Sequence, residues 1–290
     1  MQFRTDLTLE AAQNVATLSE KDCKTTVSSR EGITLTTHTL LTEKAAEVLG
    51  KPRGTFITLE LPPLSDDEKA LLSAARVLAQ TLQGLLPKDG TVLTVGLGNR
   101  AITPDALGPR VADMVLATRH IQGEFARSVG LSDLRPHAVF VPGVLGQTGT
   151  ESVEAVRGIC GIVRPCAVLA IDALAARSIE RLGCTVQLTD TGIAPGAGVG
   201  NHRQALCADT LEIPVIGIGV PTVVDAAVIA GECAADPARV RVSPAAKNLI
   251  VTPKEIDLVI SRAARLIAAG INLALQPAYS PLELISLAMG

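Results

Sequence analysis

Asp105 and Asp172 are the side chains in this sequence best placed to do chemistry. Asp105 stands in GLGNRAITPDALGP (96–109) and Asp172 in AVLAIDALAARS (167–178). Each motif overlaps or follows an apolar run that reads as a buried parallel strand, at 91–95 and 166–171. Each carboxylate is therefore expected at or just beyond a strand's C-terminal end, the edge of an open α/β sheet where ligands bind. An ionised carboxylate after AVLAI must be solvated, paired or shifted in pKa, and that cost points to a use. Asp105 lies between Pro104 and Gly108-Pro109, on a constrained segment heading a helix, where the helix dipole alone would also favour an acid. Two carboxylates in one cleft can share a proton, one activating water while the other protonates a leaving group.

Several further residues are candidates for holding a substrate around this pair. Gly96, Gly98 and Asn99 form half of a nucleotide-type glycine loop, but position six of GxGxxG is Ala101, so no dinucleotide site is expected. Backbone N–H groups of that loop, or of the glycine-rich 196–200 containing Gly198, can hold a peptide carbonyl or an oxyanion. PGVLGQTGTES (142–152) puts forward Gly149 and Glu151, either as substrate contacts or as a plain connection. Arg177 either faces Asp172 or solvates the helix expected there. Asp190 opens DTG, the triplet of pepsin-like proteases. Those enzymes are all-β and use two such motifs or a dimer that supplies the second, whereas here one DTG occurs in an α/β pattern, so the triplet is a partial decoy: Asp190 is kept as a substrate contact, and the Gly-rich run behind it reads as a loop rimming the cleft. His38, His120, His137 and His202 show no paired ligand spacing, which argues against a structural zinc, and no GxSxG marks a serine nucleophile.

The elements that must position these residues alternate. Strands are expected at 91–95, 138–141, 166–171, 185–189 and 214–219, with helices at about 109–120, 151–163, 173–182 and after Pro221. Repeated βα units imply a mostly parallel sheet with helices on both faces. Ahead of them, the Thr-rich runs ITLTTHTL and TFITLEL flank a helix at 42–49 and read as a small β appendage over 33–61 with one wet, threonine-lined side. Ser65 with Glu68 and Thr252 with Glu255 are capping-box signatures, the first opening a helix to Leu86 and the second one to about Leu275. The whole is expected to be one domain over 1–290, with its core at 87–275 and an irregular connection at 232–248.

Composition limits the function classes. With 290 residues, 47% apolar and 19% charged, the chain can bury a large core. Aromatics are only 2% and the formal net charge is −3, so neither base-stacking platforms nor a basic footprint for nucleic acid is present. The six cysteines include no CxxC pair and read as reduced thiols. The opening MQFRTDLTLEAAQ lacks the apolar core of a signal peptide, and the apolar run 214–230 is broken by Pro221 and Asp225. Neither secretion nor a membrane span is expected.

FRTDL, GLGN with TPDALGP, TRH, PGV with GQTGTE, AIDALAARS, DTG with PGAGVGN, GVPTVVDA and VTPKEID occur in order along most of the chain. In this series the chain closely resembles the germination protease family of spore-forming bacteria. The resemblance implies a homotetrameric endopeptidase of the forespore and spore-core cytoplasm that degrades small acid-soluble spore proteins, made as a zymogen and self-cleaved near its N-terminus. It implies a fold like that of hydrogenase maturation endopeptidases and places the family's two proposed catalytic aspartates on Asp105 and Asp172. It also makes 1–6 a propeptide, with Asp6–Leu7 the candidate processing bond. No cofactor is expected. A metal held by the same aspartates, as in the maturation proteases, and a nonenzymatic nucleotide- or peptide-binding module are the alternatives. The connection at 232–248 is shorter than the insertion in many members, which bears on the oligomer, and Ala194 stands where some members have His.

Overall fold

The computed structural model describes residues 5–13, 17–62, 68–196, 203–232 and 249–280, with isolated positions beyond them. Ser65, Gly198, His202 and nearly all of 233–248 lie outside the described residues. Among the described residues nine strands form one sheet: β1 (Cys23–Arg30), β2 (Ile33–Leu40), β3 (Gly54–Glu60), β4 (Val92–Gly96), β5 (His137–Phe140), β6 (Ala167–Ala176), β7 (Thr185–Thr189), β8 (Val215–Asp225) and β9 (Ile250–Val251). Their order is β1-β2-β3-β7-β8-β6-β4-β5, with β9 paired to β8. The helices are α1 (Thr8–Ala12), α2 (Glu43–Leu49), α3 (Glu68–Leu85), α4 (Leu107–Ala112), α5 (Gly123–Ser128), α6 (Leu145–Thr148), α7 (Ser152–Val163), α8 (Ala208–Leu211), α9 (Ala226–Glu232) and α10 (Ile256–Leu275).

The α/β architecture follows the sequence pattern, with the parallel pairings β5-β4, β4-β6 and β6-β8 concentrated in the half that carries both aspartates. From β8 outward through β7, β3, β2 and β1 the pairing is antiparallel. The strands at 33–40 and 54–60 therefore continue the main sheet, joined to it edge to edge through β3 and β7. Their threonines are not all wet: Thr36 and Thr58 are buried.

Alternation along the central strands feeds two cores. Leu169 and Ile171 of β6 pack with Val77, Leu78 and Leu82 of α3 and Ile260, Ala264 and Ile267 of α10. Val168 and Ala170 point the other way, with Leu93 and Val95 of β4, to meet Val153, Val156 and Cys160 of α7. By length and composition α10 is apolar enough to cross a bilayer, but 67% of its most apolar window is buried inside the fold. The described cysteines form no disulfide.

Three sequence expectations fail for identifiable reasons. ALAARS (173–178) has helical propensity, yet β6 runs on through Ala176 because it pairs with β8 from Val168↔Val215 to Ala176↔Val224. Tertiary pairing overrides a weak local preference here. Between Leu174↔Pro221 and Ala175↔Val223 the register slips, so Thr222 is the extra residue of a β-bulge, a place where proline is tolerated. The helix expected at 109–120 stops at Ala112. Asn272 of α10 captures the chain beyond it, its Oδ1 accepting from Leu116 N at 2.9 Å and its Nδ2 donating to Met114 O at 3.3 Å. Finally, Thr252 caps nothing: α10 starts after Glu255 without a side-chain cap, and Thr252 Oγ1 donates to Thr222 O at 2.8 Å.

Candidate active site

Asp172 is not at the tip of its strand but inside β6, opposite Gly219 of β8, and is 4% exposed. Asp105 ends a single 3-10 turn (Thr103–Asp105) just ahead of α4. The turn is packed against the β4 exit by two glycines. A Cβ on Gly98, whose φ is +108°, would lie 2.0 Å from Asp105 O, and one on Gly108 would lie 2.3 Å from Leu97 O. Asn99 N donates to Asp105 Oδ2 at 2.8 Å, and the bulged Thr222 donates through Oγ1 to Pro104 O at 2.8 Å. The two halves of the site are thus tied together by the glycine loop on one side and the bulge on the other.

Both carboxyls line one cavity of about 350 Å³, together with Asp6, Gly98, Ile102, Arg203, Thr222 and Ile250 among others. Asp172, Asp6, Leu174 and Gly196 also line an adjoining cavity of about 230 Å³ that contains Lys51, Gln187 and Thr189. Burial pushes the Asp172 carboxyl well above the usual carboxylate range, reinforced by the charges of Asp105 and Asp6. Its Oδ1 accepts from Ala173 N at 2.9 Å, and this bond and Arg203 act in the opposite direction. Burial also raises Asp105, and the Asn99 N–H and Arg203 offset part of that rise. The arrangement can therefore keep a proton on Asp172 beside a more readily ionised Asp105, with an arginine charge reaching both.

The N-terminal segment enters this cleft. Asp6 pairs with Ala175 of β6 twice, its N donating to Ala175 O at 2.9 Å and its Oδ2 accepting from Ala175 N at 2.8 Å. Burial raises the Asp6 carboxyl against the opposing charge of Lys51, whose own pKa burial lowers. Lys51 Nζ donates to Thr5 O at 2.9 Å. Leu7 is fully buried against Leu174, Ala176 and Val224, and Glu10 accepts from Arg177 N at 2.7 Å and Ser178 N at 2.9 Å.

The remaining sequence candidates are placed as follows. Gly96 closes β4, and Asn99 holds Asp105 by its backbone while its Oδ1 accepts from Ala101 N. Gly149 is the left-handed cap of α6, and Glu151 is the N-cap of α7, its N donating to Glu154 Oε2 at 3.1 Å. Arg177 donates to Glu10 O at 2.7 Å and so anchors α1. Asp190 accepts from Thr55 N at 2.7 Å and ties β7 to β3. None of these six residues lines either cavity. Conversely, Lys51, Gln187, Arg203 and Thr222 line the cleft without having been singled out from the sequence, since each sits alone in an ordinary strand or loop pattern. Among the described residues no group of three or more His, Cys, Asp or Glu side chains comes together as a metal site.

Two carboxyls from distant segments line one cleft at the parallel half of an α/β sheet, and the family and its relatives are peptidases. The family model described as Germination protease matches residues 5–235. The germination protease of Caldanaerobacter subterraneus subsp. tengcongensis is 41% identical over 314 residues, covering 97% of each chain. That of Clostridium acetobutylicum is 38% identical over 319 residues, again 97% of each. That of Priestia megaterium is 44% identical over 198 residues, 66% of this chain and 53% of the relative. Among solved structures, the [NiFe] hydrogenase maturation protease HycI from Thermococcus kodakarensis is similar at a TM-score of 0.38 and 18% identity, over 66% of this chain and 98% of that one. The chain belongs to the germination protease family.

Proposed function

We propose that this protein is an endopeptidase that degrades small acid-soluble spore proteins at germination, using Asp105 and Asp172 to activate water. The observation that carries the reading is the shared cavity: two carboxyls from distant segments line it, and the buried one is driven towards its protonated form by burial and by its neighbour's charge. In the proposed reaction Asp105 takes a proton from water as the oxygen attacks the scissile carbonyl carbon. Asp172 gives its proton to the leaving nitrogen as the C–N bond breaks. Cleavage of the Asp6–Leu7 bond as the self-processing step is supported by Asp6 lining both cavities beside Asp172. The substrate class, the homotetramer and the place of action in the forespore and spore-core cytoplasm rest on family membership.

The test is incubation of the purified protein with a small acid-soluble spore protein, with mass analysis of the fragments, beside Asp105→Asn and Asp172→Asn variants and a chelator control. Defined fragments from the wild type and none from folded variants are expected, with the chelator without effect. Full activity in both variants would overturn the aspartate mechanism. Loss on chelation would move the chemistry to a metal, and binding without cleavage to a binding module.

A further inference from the structure

Gln187 lies on β7, directly opposite Gly219 of β8, which is in turn directly opposite Asp172 of β6. Residues facing one another on adjacent strands put their side chains on the same face, with strands about 4.8 Å apart. Asp172 and Gln187 therefore project into the same space from backbones about 10 Å apart, and Gly219 between them carries no side chain. Leu174 occupies the position a Cβ would take there, 2.5 Å from its Cγ, and Leu7 packs onto Leu174.

The peptide bond between Asp6 and Leu7 is clamped in that space. Gln187 Nε2 donates to Asp6 O at 2.9 Å, and Gln187 Oε1 accepts from Thr8 N at 2.7 Å. Thr8 N–H must face an oxygen, so the end of the amide that meets Asp6 O is the NH₂ group, and a flipped amide is excluded by chemistry. The side chain is 6% exposed, so its hydrogen bonds act in a largely water-excluded setting, where a fixed donor is most effective.

We infer that Gln187 is a catalytic residue of this peptidase, donating from Nε2 to the carbonyl oxygen of the scissile bond and holding the oxyanion that forms when water attacks. The inference rests on the peptidase reading above and on Asp6–Leu7 as a bond the site cuts. It moves the oxyanion donor from the glycine loops to a side chain in the middle of the sheet. As water adds to the Asp6 carbonyl carbon, the C=O electron pair moves onto the oxygen held by Gln187. It returns when the C–N bond breaks and Leu7 N accepts the proton from Asp172. Gln187 Oε1, bound to Thr8 N, fixes the register of the chain beyond the cut.

The experiment uses the full chain and two variants. Gln187→Glu keeps the acceptor for Thr8 N and, once its carboxyl is ionised, has no donor for Asp6 O. Gln187→Met loses both without adding a charge. Self-cleavage is followed by intact mass, and cleavage of a peptide with the sequence of residues 1–12 gives kcat and KM. In both variants kcat is expected to fall about 100-fold or more, with KM for the peptide little changed in Gln187→Glu and melting temperature near wild type. A wild type that cuts neither itself nor the peptide overturns the peptidase reading and this inference with it. A wild type that cuts at Asp6–Leu7 while both variants keep their kcat, or change KM alone, overturns only the inference and leaves Gln187 a clip for the N-terminal segment. If either variant fails to fold, crystals of the wild type with a peptide aldehyde ending in Thr-Asp decide. The hydrate oxygen on Gln187 Nε2 supports the assignment, and an oxygen turned away from it refutes it.

Discussion

At the scale of single residues, Asp172 shows what a buried carboxyl costs the fold. In the unfolded chain its carboxyl ionises near the ordinary 3.8, whereas in the fold burial, Asp105 and Asp6 all hold the proton on. A carboxyl raised in this way contributes stability fully below its unfolded pKa and loses that contribution as pH rises towards the folded value. Each tenfold change in proton affinity is worth about 1.4 kcal/mol. Asp172→Asn keeps the shape and removes the titration. Thermal melts are therefore expected to show this variant melting above the wild type at neutral pH, with the gap closing in acid below the ordinary carboxylate range. An equal gap at every pH would mean that the proton on Asp172 is not what the fold opposes. The sequence makes Asp172 conspicuous because an acid interrupts a run of buried aliphatics. Gln187 stays hidden because TVQLT reads as ordinary alternation on a strand. Nothing local says that its amide meets a peptide bond 181 positions away.

At the scale of elements, β5 is pinned to its surroundings by one imidazole. His137 is 1% exposed, its Nδ1 2.7 Å from Leu116 O and its Nε2 2.7 Å from Thr94 Oγ1. A carbonyl can only accept, so Nδ1 carries the proton and Nε2 accepts from the threonine hydroxyl. Burial lowers its pKa from 6.5 to about 4. A histidine depressed by folding stabilises fully above its unfolded pKa and loses that stability as pH falls through the interval from 6.5 to about 4. The contribution at stake is on the order of 3 kcal/mol. Denaturant titrations at neutral and mildly acidic pH are expected to show the wild type losing more stability on acidification than His137→Gln. Parallel losses would place the acid sensitivity elsewhere. The strand itself was legible at 138–141, because four apolar residues bounded by prolines leave few options. The short α4 was not, because its end is set by Asn272 in a helix more than a hundred residues further on. The same limit explains β6: ALAARS has the local character of a helix and becomes strand through its pairing with β8.

At the scale of the whole molecule, the N-terminal segment closes one side of the cleft, and its hold is both polar and apolar. Leu7, with no exposed surface, packs against Leu174, Ala176 and Val224, while Gln187 bonds its neighbours Asp6 and Thr8 and Glu10 accepts from Arg177 N and Ser178 N. Truncating such a side chain typically costs 2–5 kcal/mol, roughly, through lost burial and the cavity left behind. Leu7→Ala in the full chain is expected to lower the melting temperature and to expose residues 5–12 to limited proteolysis by an unrelated protease. A variant with wild-type melting and protection would show that the segment is not part of the cooperative fold.

The sequence alone determined the α/β class, most central strands and the family, and it singled out Asp105 and Asp172, since periodicity, turn residues and long ordered motifs are properties of neighbouring positions. Only the tertiary structure decided that Asp172 lies mid-strand, that a bulge aims Thr222 at the Asp105 turn, and that Asp6, Lys51, Arg203 and Gln187 share its cleft. Strand pairing and loop closure bring together residues whose separation along the chain carries no local signal. Burial then sets their charge, and that exists only once the sheet and its covering helices exclude water.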